Sequence, residues 1–416
     1  MNLSLPQSLS QLRGAVLADG SVVDLDISRV DGHAVVTAVR PTDERAVAPD
    51  RADVLDLRGY VLLTAPAEPH AHLDKALSWD VLRPPLGDLH DAIANWKEGS
   101  AGLDEESFRT RARTAALALL RNGTTAVRSH VDILLGPDPL RGIRAIDRVR
   151  RELEGVMDIE IVALSKVYAT DELVHQALDA GADLVGGSPH SAPDPLGDLD
   201  RLLTIAEARG VGVDLHTDEF LEGDHHTIGA FAERVATWPA GRIRTAGHCT
   251  RLGTMSRTEL AGLLPVIASS GIGVVANPIT NLYLQGRGHP VSTPRGITAI
   301  ESLREAGIRV AAGADNVRDA FNPVGRSDAL ETAMLAITAA HVHPDIAMAM
   351  VTEDARAVMG LPDAGPRVGA RAEFLAVRGT SVLDVIANAP ADRVVIHDGK
   401  LVSVSETRTQ MAVSAH

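Results

Sequence analysis

From residue 60 onward, short apolar runs rich in Val, Ile, Leu and Ala alternate with longer stretches of helical periodicity. The runs predict strands at YVLLTA (60–65), TTAVRSH (124–130), DIEIVAL (158–164) and DLVGG (183–187). Four more are expected at VGVDLH (211–216), RIRTAGH (242–248), IGVVAN (272–277) and IRVAAGAD (308–315). Between them lie helical patterns such as DEESFRTRARTAALALLRNG and DLDRLLTIAEARG, closing at Gly123 and Gly210, residues suited to the left-handed turn after a helix. Several strands are nearly continuous apolar runs, as buried parallel strands should be. Eight strand–helix units over about 300 residues fit a (β/α)8 TIM barrel. A doubly wound open sheet is the alternative, but it usually needs fewer strands, and no glycine-rich fingerprint follows the first run.

The two ends read differently. GAVLADGSVVDLDISRVDGHAVVTAV near the start, and VGARAEFLAVRG and DRVVIHDGKLVSVS near the finish, are short strands broken by Gly and Asp turns. Residues 1–59 and 365–416 are therefore expected to pair into one small β-sandwich, with 60–364 forming the barrel.

Composition narrows the partners. With Lys plus Arg at 40 and Asp plus Glu at 55, the formal charge is −15, which disfavours nucleic acid and anionic membranes. No apolar stretch approaches the roughly 18 residues of a membrane span. The first residues lack a basic segment followed by an apolar run, so no signal peptide is expected. One cysteine, Cys249, cannot form an intrachain disulfide, which suits a reducing cytoplasm. A small-molecule substrate is expected, and a homo-oligomer is left open.

A barrel carries its chemistry at the C-terminal ends of its strands. The first run leads into EPHAHLDK, where His70 and His72 alternate as residues on one side of a strand do. The fifth run ends in DLHTDE, with His216 and Glu219, the sixth in His248, and the eighth in Asp315. Taken alone, His70 and His72 could be two polar residues at an exposed strand end. Four strands delivering imidazoles and a carboxylate to one rim point instead to a divalent transition metal, Zn2+ or Fe2+. Such an ion lowers the pKa of a bound water toward about 7. Glu219 is placed to move protons without ligating, His248 to hydrogen-bond the water, and Asp315 both to ligate and to accept a proton.

These strings, together with VRSHVDI, GHCT, VANPITNLYLQGR, RGIT and GADNVRDAFNPVG, resemble the amidohydrolase superfamily and within it the cytosine deaminase-like branch. The resemblance covers nearly the whole chain. It implies one metal bound by His70, His72, His216 and Asp315, Glu219 as proton shuttle, and His248 as the residue that orients or polarises the water. Binuclear members bridge two metals with a carboxylated lysine after strand four, but GGSPH holds none.

The chain departs from cytosine deaminases at two positions. Asn316 stands where they carry a second aspartate, and Lys166 where they carry a glutamine that reads the pyrimidine edge. The first change removes a charge and adds a donor; the second removes an acceptor and adds a cation. Cytosine itself is thus disfavoured, and a ring with more acceptors or a carboxylate suits Lys166. Lys75 resembles a lysine near the ring in triazine-processing relatives, or is a solvated lysine paired with Asp74. Gln285 matches the family motif as a substrate contact, and Phe321 is placed to stack on a planar ring. His130, after strand two and facing the same rim, is read as a residue that supports the ligands from behind or simply packs. The expected reaction is hydrolytic deamination of a nitrogen heterocycle at an amidine-like carbon. Cyclic or exocyclic amide hydrolysis at the same site is the first alternative, and a non-catalytic metal-binding scaffold the second.

Overall fold

In the computed structural model, which describes residues 5, 7–43 and 51–412, eight parallel strands follow one another in sequence order. They are β1 (Ala67–Ala71), β2 (Ala126–Asp132), β3 (Asp158–Ser165), β4 (Leu184–Gly187), β5 (Val213–Thr217), β6 (Arg244–His248), β7 (Gly273–Ala276) and β8 (Val310–Ala312). Just past β8, Asp315 bridges in parallel to Ala71, bringing the last strand back to the first. Every residue of β1, β2 and β5 is buried, as expected of strands covered on both faces. The intervening helices start and stop on local signals. Ser256 and Glu259 form a reciprocal cap at the start of Arg257–Ser270, and Gly271 ends that helix in the left-handed region.

Among the described residues, a second sheet of nine strands is built from the two ends of the chain. Its core includes Leu12, Leu25, Val36, Leu62, Phe374 and Ile396. By compactness the chain divides into Met1–Ala65, Leu120–Thr125 and Asp363–His416 on one side, and Pro66–Leu119 and Ala126–Pro362 on the other. Residues 1–4, 6, 44–50 and 413–416 of the expected terminal domain lie outside the described residues.

One strand moves. Tyr60–Thr64, expected as the first strand of the barrel, pairs antiparallel with Phe374–Arg378 in the terminal sheet, and Ala67–Ala71 opens the barrel instead. Tyr60–Thr64 is buried throughout, so its apolar run suits either sheet equally, and its partner is set by contacts distant in sequence. Among the described residues, no helix is long and apolar enough to cross a membrane.

Candidate metal centre and active site

Alternation along the strands sorts the barrel interior into layers. Arg128, His130 and Asp132 share one side of β2, and Asp214 and His216 one side of β5, while a register irregularity interrupts β1 between Glu68 and Ala71. The deepest layer is ionic. Arg128, fully buried, donates to Asp214 at 2.8 Å and to Thr245 Oγ1 at 3.0 Å, and also pairs with Glu160.

Above it the imidazoles converge. His72 Nε2 lies 3.2 Å from His216 Nε2 and 3.2 Å from Asp315 Oδ1, while His70 Nε2 lies 3.7 Å from the same oxygen. Close approach to β6 makes room for His70, since a Cβ on Gly247 would stand 2.7 Å from its ring. His248 closes the ring, its Nε2 3.8 Å from Asp315 Oδ2. His130, read from sequence as supporting the ligands or packing, lies within the cluster: its ring centroid is 4.0 Å from that of His70. The ligand atoms of His70, His130 and His216 lie within 4.8 Å of one another, and so do those of His70, His248 and Asp315.

This donor set fits a divalent ion. Both nitrogens of His70, Nδ1 of His216, Nε2 of His248 and both oxygens of Asp315 are buried without a hydrogen-bond partner. Buried polar atoms rarely stay unpaired, and imidazole nitrogen with carboxylate oxygen suits Zn2+ or Fe2+. His72 shows how a ring of the cluster is oriented. Its Nδ1 lies 3.1 Å from the His130 carbonyl, an acceptor, and 3.0 Å from the Lys75 ammonium, a donor, and these two contacts hold the ring with Nε2 toward Asp315.

Electrostatics point the same way. Burial, reinforced by neighbouring cationic side chains and imidazoles, holds His70, His72, His130 and His216 well below the ordinary imidazole range. Burial brings His248 down to about 3. Asp315 is pushed well above the carboxylate range by burial and by the Glu219 carboxylate. Neutral imidazoles and an acid reluctant to ionise describe a site short of positive charge, which a cation supplies.

Glu219 stands beside this cluster. Its Oε1 is 3.3 Å from His248 Nδ1 and accepts from Asn281 Nδ2 at 3.3 Å. Burial pushes its carboxyl up to about 8, against the pull of the Lys166 ammonium and the Asn281 amide. The loop after β5 that carries Glu219 is pinned by Asp218, which accepts from Thr227 N at 2.7 Å and Ile228 N at 3.0 Å. Asp218, His248 and Asp315 all take positive φ, at 49°, 66° and 61°. Non-glycine residues hold such angles only where the surroundings enforce them, as at functional sites.

The expected substrate contacts divide. Lys166 follows β3, a quarter exposed, with Nζ 3.5 Å from Asp132 Oδ1. Lys75 is not solvated: it is buried, donating to Asp132 at 2.9 Å, with Asp74 at 3.5 Å. Asp132 also accepts from Trp96 Nε1 at 2.9 Å. Burial opposes its ionisation, yet Lys166 and Lys75 hold it below the usual carboxylate range. Trp96, Asp132, Lys166, Tyr168 and Phe321 line one cleft. Gln285 is half-buried, its Nε2 3.5 Å from the Glu219 carbonyl. Asn316 spends its amide on Asp319 at 2.8 Å.

Sequence reasoning passed over Asp132 and Asn281 and gave His130 a supporting or packing role at the rim. The first two lay inside the quoted strings, and the period-two alternation of VRSHVD already set Arg128, His130 and Asp132 on one face. For Asn281, one amide on a helix, no local signal existed.

Residues 86–403 match the model of the Amidohydrolase family. The chain belongs to the amidohydrolase family. A pterin deaminase from Rhizobium rhizogenes is 31% identical over 373 residues, covering 86% of this chain and 84% of the relative. The crystal structure of 5-methylcytosine deaminase from Klebsiella pneumoniae superposes with a TM-score of 0.86 at 25% identity, covering 96% of this chain and 100% of that one. N-isopropylammelide isopropylaminohydrolase from Burkholderia multivorans gives 0.79 at 28% identity, over 95% and 98%. This amidohydrolase is accordingly a metal-dependent hydrolase of C–N bonds other than peptide bonds, and its His-rich cluster is where a divalent metal fits.

Proposed function

We propose that His70, His72, His216 and Asp315 hold one divalent ion, Zn2+ or Fe2+, and that Glu219 and His248 serve the hydrolytic deamination of a nitrogen heterocycle. The observation that carries this is the approach of His72 Nε2, His216 Nε2 and Asp315 Oδ1 within 3.2 Å steps, with Glu219 and His248 3.3 Å apart beside them. The ion, when bound, supplies the Lewis acidity that makes water nucleophilic near neutral pH. Glu219, a carboxyl poised near neutrality, takes a proton from the attacking water and returns it to the ring nitrogen. The new C–O bond forms at the amidine carbon, the C–N bond to the amino group breaks, and ammonia or an amine leaves with the second proton. His248 hydrogen-bonds the water oxygen and holds it toward the ring. Lys166, beside Phe321 and Trp96 in the cleft, favours a ring edge rich in acceptors, or a carboxylate.

The pterin deaminase and the 5-methylcytosine deaminase support a heterocyclic substrate. The formal charge of −15 favours a small molecule over nucleic acid or an anionic membrane, and a single cysteine suits the cytoplasm. The test is an ammonia-release screen of purines, pyrimidines, pterins and triazines with metal-reconstituted enzyme. Ammonia released with the ring absorbance retained is the expected result. Ring opening without ammonia would assign cyclic amide hydrolysis instead.

A further inference from the structure

The metal centre gathers at the C-terminal ends of the strands. At the opposite ends of β6, β7 and β8 lies a separate cavity of about 370 Å3, bordered by the first residues of β6 and β7 and by the residue before β8. Three arginines line it, Arg242, Arg244 and Arg309, and no lining residue is acidic. In a chain whose 55 acidic residues outnumber its 40 basic ones, such a cluster needs a reason.

Neighbouring arginines are neutralised. Arg234 meets Asp200 and Glu207, and Arg304 meets Asp354. Among the described residues, none of the three lining arginines has a carboxylate within ion-pair distance. Two are nevertheless held in place. Arg244 donates to the Val235 carbonyl at 2.7 Å and to those of Trp238 and Pro239 at 3.4 Å. Gly271 gives its guanidinium room, since a Cβ there would stand 3.3 Å from Cζ. Arg242 lies over the Trp238 ring, 4.9 Å from its centroid, which leaves its N–H edge free. Burial, and next the charge of Arg242, hold the Arg244 guanidinium below its ordinary value, so these cations repel with no anion between them.

Cations also favour helix C-termini. That accounts for Arg244, whose acceptors lie at the end of the helix Ile228–Val235. It does not account for Arg242 or Arg309, which donate to no carbonyl among the described residues.

We propose that this cavity is a binding site for a phosphate group, free or carried by a small molecule, gripped by Arg242, Arg244 and Arg309 on the barrel face opposite the metal centre. Guanidinium forks match the several oxygens and the double charge of phosphate better than the single charge of a carboxylate. The volume lies in the range of small-molecule sites and leaves space for a group attached to the phosphate. The site is independent of the reading of the metal centre.

The test is isothermal titration of the metal-loaded full chain with sodium phosphate at constant ionic strength. One saturable site per chain is expected. Arg242→Ala and Arg309→Ala should each weaken it by about tenfold or more, the loss expected for one charge-assisted hydrogen bond. Undiminished binding in both variants would place the phosphate elsewhere, the metal centre included, and overturn the proposal. So would the lack of saturation up to about 10 mM phosphate. Without phosphate, Arg309→Ala should keep the wild-type Tm, because its side chain is spent on nothing in the chain; a marked drop would assign it to the helix ends instead. A phosphate-independent dimer that both variants dissociate, seen by sedimentation, would give the arginines to carboxylates of a second copy and likewise overturn the proposal. Adenosine 5′-monophosphate separates the two sources: tighter binding than phosphate supports a site for a phosphorylated small molecule, and equal binding supports one for the free ion.

Discussion

The backbone amide of Asp315 donates to the carbonyl of His70 at 2.9 Å, and the amide of His72 donates back to the Asp315 carbonyl at 3.3 Å. One proposed ligand from β1, one just past it and one from beyond β8 are thereby locked together at the seam where the last strand meets the first. The left-handed backbone of Asp315 is held by these bonds, and its side chain is turned toward the imidazoles. Binding an ion and closing the barrel are then two sides of one equilibrium.

Metal occupancy should follow that linkage. Elemental analysis of the wild type should give about one equivalent per chain, and His216→Ala should lower it sharply. Metal at a hundredfold excess over its Kd should add about 2.7 kcal/mol of stability, read as a rise in Tm that His216→Ala abolishes. Two equivalents at full activity would favour a binuclear centre.

Glu219 should act on protons without holding the ion. Glu219→Gln keeps the shape and the contact with Asn281 but cannot shuttle a proton. It should retain its metal and lose kcat by roughly 10²-fold or more, measured with the best substrate from the ammonia screen. Near-normal turnover would end the assigned role.

The two departures from cytosine deaminases should separate on mutation. Lys166 borders the cleft, so Lys166→Gln should change relative kcat/KM among heterocycles, by about tenfold for each 1.4 kcal/mol of altered hydrogen bonding. Asn316 instead donates to Asp319, so Asn316→Asp sets two buried carboxyls 2.8 Å apart. That variant should lose stability in chemical denaturation, and it should not move toward cytosine on its own. A clear gain of cytosine activity in Asn316→Asp alone would show that this position reads the ring.

Acid should weaken the protein through its buried histidines. Their folded pKa values lie below the ordinary imidazole value of about 6.5, so the stability they contribute is present above that pH. It is lost as pH falls, because the unfolded chain takes up protons that the folded chain refuses. His130 isolates the effect, standing outside the proposed ligands and held well down by burial and by Arg128. In chelated protein, the stability of His130→Gln relative to wild type should rise by up to about 1.4 kcal/mol for each pH unit below 6.5. Urea titrations at two or three pH values measure it, and parallel pH dependences would mean that His130 does not resist protonation in the folded chain.

Local chemistry by itself determined where strands and helices fall and which of them end in histidine or aspartate. The alternation of His70 with His72, and the placing of His216, His248 and Asp315 at the ends of apolar runs, are short-range facts that any reading of the chain recovers. They sufficed for the barrel and for the residues that gather at its rim. Only the tertiary structure decided which partner each element took. Tyr60–Thr64 is a buried apolar strand in either sheet, and hydrogen bonding to Phe374–Arg378, more than 300 residues away, settles its place. The same limit applies to polar groups. Whether Lys75 is solvated or spent on Asp132, whether Asn316 faces a ring or Asp319, and that Asn281 meets Glu219 and His248 depend on atoms brought together from distant strands. Those pairings are fixed by burial, which leaves each donor only the acceptors that packing puts within about 3 Å.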